Sequence, residues 1–386
     1  MTSISDRMSD ISPFYVMQLL ARAKELDSLG KRVVHMEIGE PDFPTPDAVV
    51  EAGIRFIRDG GVKYTPAAGL TELREAISRH YSTRYGIAVP RSRIFVTPGG
   101  SGALLLALGV LLNPGQEVLL ADPGYPCNRN FIRLFEGKSK LLCVGPATGY
   151  QLTAEAIRTN WNDGTAGVLI ASPSNPTGTV IAGGQFASIV EVVRENDGFV
   201  ISDEIYHGLE YGVRSDTALK FDDNCFVVNS FSKYFGMTGW RIGWVVVPEP
   251  FVEAIERLAQ NIFISAPAHS QYAALASLEN TCILELERRR LEFENRRDFL
   301  FDNLRRLGFL VSAKPQGAFY IYADCSVHTD DSYRFARDLL ERAGVAVTPG
   351  KDFGHNAAET HLRFAYTTSM DQLQEGIARL EKVVGR

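Results

Sequence analysis

A chain of 386 residues, 45% apolar and 22% charged, has the material for a large hydrophobic core and for two domains. Its formal net charge of −6 argues against nucleic acid or an anionic membrane as a partner, and its longest apolar run, residues 103–112, is too short to cross a bilayer. Five scattered cysteines without C-x-x-C spacing, and seven histidines without a metal-binding spacing, argue against a disulfide framework and a metal site and point to a soluble cytoplasmic protein.

In chain order, the spacing of Ile11, Phe14, Met17, Leu19, Leu20 and Ala23 predicts an amphipathic helix that ends near Gly30. Residues 33–38 read as a short strand ended by Gly39-Glu40-Pro41-Asp42-Phe43, where the glycine either makes a turn or lets a backbone N–H approach a ligand. Residues 46–58 and 70–85 read as helices, with Tyr64 on the loop between them. A strand over 94–97 enters Pro98-Gly99-Gly100-Ser101-Gly102 and then a helix over 103–112. A glycine-rich turn that opens a helix offers free N–H groups and a positive dipole end to a phosphate. After the strand 117–120, Tyr125 either packs at a turn or stacks flat on a planar ring.

The pattern then repeats. Apolar runs at 167–171, 199–202 and 226–228 lead into Ser172-Pro173-Ser174-Asn175, Asp203-Glu204-Ile205-Tyr206 and Asn229-Ser230-Phe231-Ser232-Lys233, with a helix over 184–195. Strands recurring every ~30 residues are βαβ units of a parallel sheet, and their polar residues gather at the carboxyl ends, where such sheets bind ligands. An amine beside a buried strand end is costly unless it is neutralised or bonded, so Lys233 suits Schiff-base formation with an aldehyde. Ser230, Ser232 and Arg241 suit an anion, phosphate above all. Residues 242–247 leave this stretch as another strand.

Further on, 251–261 reads as a helix and 274–307 as one long helical stretch with charges at i,i+4. Residues 309–311 and 317–322 alternate like antiparallel strands, 332–343 is a helix, and 345–348 runs into Pro349-Gly350. The strand 361–366 carries Arg363 opposite its apolar neighbours, and 370–384 closes the chain as a helix.

The segments A-S-P-S-N-P-T-G, S-D-E-I-Y and S-x-S-K-x-x-x-M-T-G-W-R-I-G-W, in this order, resemble the class I/II (fold-type I) pyridoxal-phosphate-dependent aminotransferase family over residues 10–380. The resemblance implies an α/β fold with a mainly parallel sheet in a large domain, 46–284, and a smaller discontinuous α+β domain made from 1–45 and 285–386. It implies pyridoxal 5'-phosphate held covalently by Lys233, with Asp203 on the ring nitrogen, Asn175 and Tyr206 on the ring oxygen, and Tyr125 covering the ring. Gly100, Ser101, Gly102, Ser230, Ser232 and Arg241 then take the phosphate, together with Tyr64 of a second subunit in a homodimer with shared sites. Lys233 moves the proton with Asp203 and Tyr206 in support, while Gly39, Asn175 and Arg363 hold the substrate carboxylate. No metal is expected.

The implied reaction moves an amino group from an L-amino acid to a 2-oxo acid; β-elimination on cysteine derivatives is the alternative on the same cofactor. A ligand-sensing domain of a transcription regulator is the non-enzyme alternative, disfavoured because the chain is acidic and the fold begins within its first 30 residues. Some aspartate-using relatives carry a lysine where this chain has Ser101, which argues against tight aspartate specificity. With Phe14, Tyr15, Ile38 and Phe353 expected around the side-chain pocket, the sequence predicts a broad enzyme for neutral amino acids with 2-oxoglutarate as acceptor.

Overall fold

The computed structural model describes residues 3–11 and 13–384. The chain enters through α1 (Tyr15–Ser28), β1 (Val34–His35), α2 (Asp47–Arg58) and α3 (Thr71–Tyr85). Next come β2 (Ile94–Thr97), α4 (Gly99–Leu111), β3 (Glu117–Asp122), α5 (Pro126–Leu134), β4 (Lys138–Cys143) and α6 (Ala154–Asn160). They are followed by β5 (Thr165–Ala171), α7 (Gly183–Glu195), β6 (Phe199–Asp203), β7 (Phe226–Ser230) and β8 (Gly243–Val246). Helices α8 (Val252–Ile262), α9 (Ala268–Ser277) and α10 (Asn280–Arg306) lead to β9 (Tyr320–Asp324) and α11 (Ser332–Asp338). The chain ends with β10 (Val345–Ala346), β11 (Thr348–Pro349), β12 (His361–Ala365) and α12 (Met370–Val384).

Seven strands make one sheet in the order β2-β8-β7-β6-β5-β3-β4, in which β8 runs antiparallel to both its neighbours and the other pairs are parallel. Both faces are covered. Along β7, Val227 packs into one apolar cluster while Phe226 and Val228 pack into the other, which is why that strand reads as an unbroken apolar run. The chain reverses between β7 and β8 through residues 231–242, so Lys233 and Arg241 share one loop at the sheet's carboxyl rim. A second, antiparallel sheet has the order β11-β12-β9, and β1 pairs in parallel with β10.

Several elements differ from the sequence expectation for physical reasons. The glycine run after β2 is the first turn of α4 itself, not a loop before it. The single helix expected over 274–307 breaks at Leu278 and Glu279; α9 ends with its backbone bonded back at Leu278, and Glu279 is extended ahead of α10. Only Val34 and His35 of the strand expected over 33–38 pair, and 309–311 contributes one bridge, Leu310 to Asp324. β4 lies at the sheet edge with Lys138 and Cys143 exposed, so it lacks the apolar run that marks the central strands.

Candidate active site

A cavity of about 320 Å³ opens at the carboxyl rim of the main sheet, between it and the small antiparallel sheet. Gly39, Gly100, Ser101, Tyr125, Asn175, Asp203, Tyr206, Ser230, Ser232, Lys233, Arg241 and Arg363 all line it. Gly102 lies one step behind, where a Cβ would press to 2.9 Å from the Pro98 ring. Tyr64 is elsewhere, 82% exposed on its loop and outside this chain's cavity.

The lysine is the chemical centre. Part-buried Lys233 donates from Nζ to the Gly39 carbonyl oxygen at 2.7 Å. Burial lowers its pKa to about 8; Arg363 and Arg241 push the same way, against Glu40 and Asp203. Asp203, at the end of β6, is 4% exposed and accepts one backbone N–H, from Ile205, at 3.2 Å. Burial raises its carboxyl to about 6, opposed by that N–H and by Lys233. Burial likewise pushes the Tyr206 phenol well above its usual range, and its hydroxyl meets that of Tyr320 at 3.0 Å.

The first turn of α4 faces an orphan cation. Gly99 has φ +73°, and a Cβ there would stand 2.6 Å from Arg241 Nη2, so glycine keeps the cradle open. Arg241 donates to the Thr238 carbonyl at 3.0 Å, lies 3.5 Å from Ser232 Oγ, and has no carboxylate partner among the described residues. Ser230 Oγ donates to Ser232 Oγ at 2.9 Å. Free helix N–H groups, two hydroxyls and an unpaired guanidinium form a site for a phosphate. A buried carboxyl short of a cation at Asp203, and an amine with a lowered pKa at Lys233, complete a donor set that fits pyridoxal 5'-phosphate.

The small sheet supplies the opposite wall. Arg363 on β12 donates to Asn175 Oδ1 at 2.9 Å, the Glu37 carbonyl at 2.6 Å and Thr348 Oγ1 at 3.1 Å. Its guanidinium lies between the rings of Tyr320, 4.2 Å away, and Phe353, 4.8 Å away, and its buried Nε has no partner. Two aromatic faces hold the charge in place while leaving edge donors for an anion.

Of the four expected pocket residues, Phe14, Ile38 and Phe353 line the cavity and Tyr15 does not. The Tyr15 ring packs on Tyr333 at 4.8 Å, because Asp352 accepts the Tyr15 and Val16 N–H groups at 2.7 and 2.8 Å and fixes the turn of α1. Val16, Met17 and Leu20 face the cavity in its place. The sequence reading also missed Tyr320. A Cβ on Gly39 would collide with the Tyr320 hydroxyl, so the two positions constrain each other. The available signal was alternation: on β9, Tyr320 and Tyr322 share a face with Arg363, which pairs with Tyr322.

Comparisons with known proteins agree with this geometry. The family model described as aminotransferase class I and II matches residues 31–380. The (5-formylfuran-3-yl)methyl phosphate transaminase of Methanocaldococcus jannaschii is 39% identical over 386 residues, covering 99% of this chain and 100% of that protein. The valine–pyruvate aminotransferase of Mycobacterium tuberculosis is 36% identical over 372 residues, 96% of each chain. The structure of an aspartate aminotransferase from Thermus thermophilus with maleate superposes with a TM-score of 0.94 at 33% identity, over 99% of this chain and 100% of that one.

Proposed function

The chain belongs to the class I and II aminotransferases, pyridoxal 5'-phosphate enzymes of fold type I, and on that ground we propose that it moves the amino group of neutral L-amino acids to 2-oxoglutarate. The observation that carries the donor preference is the apolar wall of Phe14, Val16, Met17, Leu20, Ile38 and Phe353, with Ser101 as the neutral residue in the α4 turn. The valine–pyruvate relative uses a donor of this kind.

Bound pyridoxal 5'-phosphate supplies an aldehyde for covalent attachment and a ring that accepts the charge developing at the substrate's Cα. Lys233 would hold the cofactor covalently, and its amine, when free, would take the proton from Cα as base and return it as acid. With Nζ at the Gly39 carbonyl, it stands beside the substrate's carboxylate end. Asp203 would keep a proton on the ring nitrogen, and the Asn175 amide and Tyr206 hydroxyl would bond the ring oxygen. Asn175 Oδ1 is already occupied by Arg363, which leaves its NH2 for that oxygen. Tyr125 would cover the ring, and Gly100, Ser101, Gly102, Ser230, Ser232 and Arg241 would hold the phosphate. The edge donors of Arg363 and the Gly39 N–H take the α-carboxylate and so orient the Cα–H bond. The same proposal divides the chain into a large domain, 46–284, and a small one built from 1–45 and 285–386, supported by the pairing of β1 with β10 across those limits.

A panel of amino donors, followed by loss of the holoenzyme's visible absorbance in single turnover, tests the preference. Leucine, methionine, alanine or phenylalanine should at least match aspartate. A kcat/KM for aspartate more than about tenfold above all of them, a gap of ~1.4 kcal/mol, would overturn the neutral-donor reading.

The working unit is a homodimer in which Tyr64 completes the neighbour's phosphate site. Its exposure, and the exposed Ile57, Val62 and Tyr272, support this reading. Refolding a one-to-one mixture of inactive Lys233→Ala and impaired Tyr64→Phe chains should restore activity toward about a quarter of wild type, since random pairing gives hybrids with one intact site. No recovery in a mixture shown to contain hybrids refutes the sharing.

A further inference from the structure

Next to the main cavity lies a second, smaller compartment of about 30 Å³ that shares Tyr125, Ala171, Asn175 and Phe353 with it. Its remaining polar lining is Asn128, Arg129, Gln151 and Ser174. Asn128, Gln151 and Ser174 are each 5% exposed or less. Gln151 is fixed by its Nε2, which donates to the Thr179 carbonyl at 3.0 Å and Thr179 Oγ1 at 3.1 Å. Asn128 Oδ1 is enclosed without a partner; turned about its amide bond, Asn128 presents its NH2 there instead, and the Ser174 hydroxyl holds no hydrogen bond among the described residues. Buried polar groups left this way carry a desolvation cost unless something binds them.

Arg129 adds a cation. Its guanidinium makes one hydrogen bond, from Nη2 to the Asp352 carbonyl oxygen at 3.3 Å, and has no carboxylate partner among the described residues. The nearby carboxylates, Asp122 and Asp352, attract its charge but accept their hydrogen bonds from other groups. Asp122 accepts the His355 N–H at 3.0 Å and the Asn356 N–H at 3.3 Å, and Asp352 caps α1.

We propose that this compartment receives the distal carboxylate of a dicarboxylic substrate, with Arg129, Asn128 and Ser174 as its donors. The inference rests on the proposed function, which gives Lys233, Arg241 and Arg363 to cofactor and α-carboxylate and leaves the main cavity without a cation for a second carboxylate. Position supports it. Asn175 touches Arg363 and borders the compartment, and the Phe353 ring does the same, so a short acid clamped at Arg363 points its far end there. Size supports it too: the space holds a terminal group and not a whole substrate. Apolar side chains then lie along the α1 wall, and a carboxylate turns away from it behind Tyr125.

The test compares glutarate with butyrate as ligands of the holoenzyme, read from the visible band, and 2-oxoglutarate with pyruvate as acceptors. Wild type should bind glutarate more tightly than butyrate. Arg129→Met should erase that preference and lower kcat/KM for 2-oxoglutarate roughly ten- to hundredfold, the value of a charge-assisted contact, with pyruvate changed less than about threefold. Arg129→Lys should keep part of the preference and Ser174→Ala should lose a smaller part, while all variants retain the wild-type melting transition. Equal binding of glutarate and butyrate by wild type, or an Arg129→Met loss shared equally by pyruvate, overturns the compartment as a carboxylate site and leaves it a water pocket. If 2-oxoglutarate fails as an acceptor while glutarate binding still depends on Arg129, the acceptor reading falls and the subsite stands.

Discussion

Replacing Lys233 with alanine lowers turnover by at least about 10⁴-fold and leaves the cofactor unlinked to the chain, so borohydride reduction no longer fixes it. General acid–base catalysis by one group is worth about 10²–10⁴ on its own, and in the proposed mechanism this residue also supplies the covalent attachment. Burial, with Arg363 and Arg241 beside it, lowers the free amine to about 8, which suits a base. At pH 7.5 roughly a quarter of such amines are neutral and able to take a proton, against about one in a thousand for an ordinary lysine. Burial and two arginines produce that shift, so the surroundings proposed to bind two anions would also free the base. Donor half-reactions measured in single turnover decide the matter. A Lys233→Ala enzyme that keeps more than about 1% of the wild-type rate places the base elsewhere.

Asp203→Asn should separate function from stability. In the holoenzyme, the loss of a buried anion beside the ring nitrogen lowers the rate on the order of 10²–10³-fold, the usual scale for one preorganised electrostatic contact. In the cofactor-free chain the effect reverses. The folded carboxyl titrates near 6, above the ordinary 3.8, so between those values the folded state holds a proton that the unfolded state has released. Wild-type stability therefore falls as pH rises from about 4 to 6 and stays reduced above that, by on the order of 2–3 kcal/mol. The amide carries no such penalty and can still accept the Ile205 N–H. Cofactor-free Asp203→Asn should melt a few degrees higher than wild type at pH 7.5 and close to it at pH 4. Equal melting at both pH values removes the argument that Asp203 is strained without its cation.

Much of this was legible because central strands buried on both faces announce themselves. The runs ending at Asp203, Ser230 and Ala171 are apolar until the rim, so Asp203, Lys233 and Asn175 stand out as polar groups where water is excluded. Arg363 was legible by alternation on β12, with its role implied by the family resemblance. Tyr320 was hidden because a phenol in an alternating strand looks like core until its hydroxyl is seen against Tyr206. Tyr15 was misplaced by one residue of helix phase, which the Asp352 cap sets and periodicity alone does not. Arg129 gave no signal, since a cation on α5 reads as the wet face of an amphipathic helix until its missing carboxylate is noticed.

The pairing of β1 with β10 fixes an order of events during synthesis. Val34 and His35 wait for Val345 and Ala346, which leave the ribosome about 310 residues later. At 5–20 residues per second that is a delay of roughly 15–60 s, during which the apolar face of α1 and the edge of β1 have no native partner. The strands that carry Asp203 and Lys233 can pair within that interval, because β5, β6 and β7 are neighbours in both sequence and space. The nascent chain therefore completes the rim proposed for the cofactor well before the wall proposed for the substrate. Its opening segment is therefore among the last parts of the chain to meet their native partners.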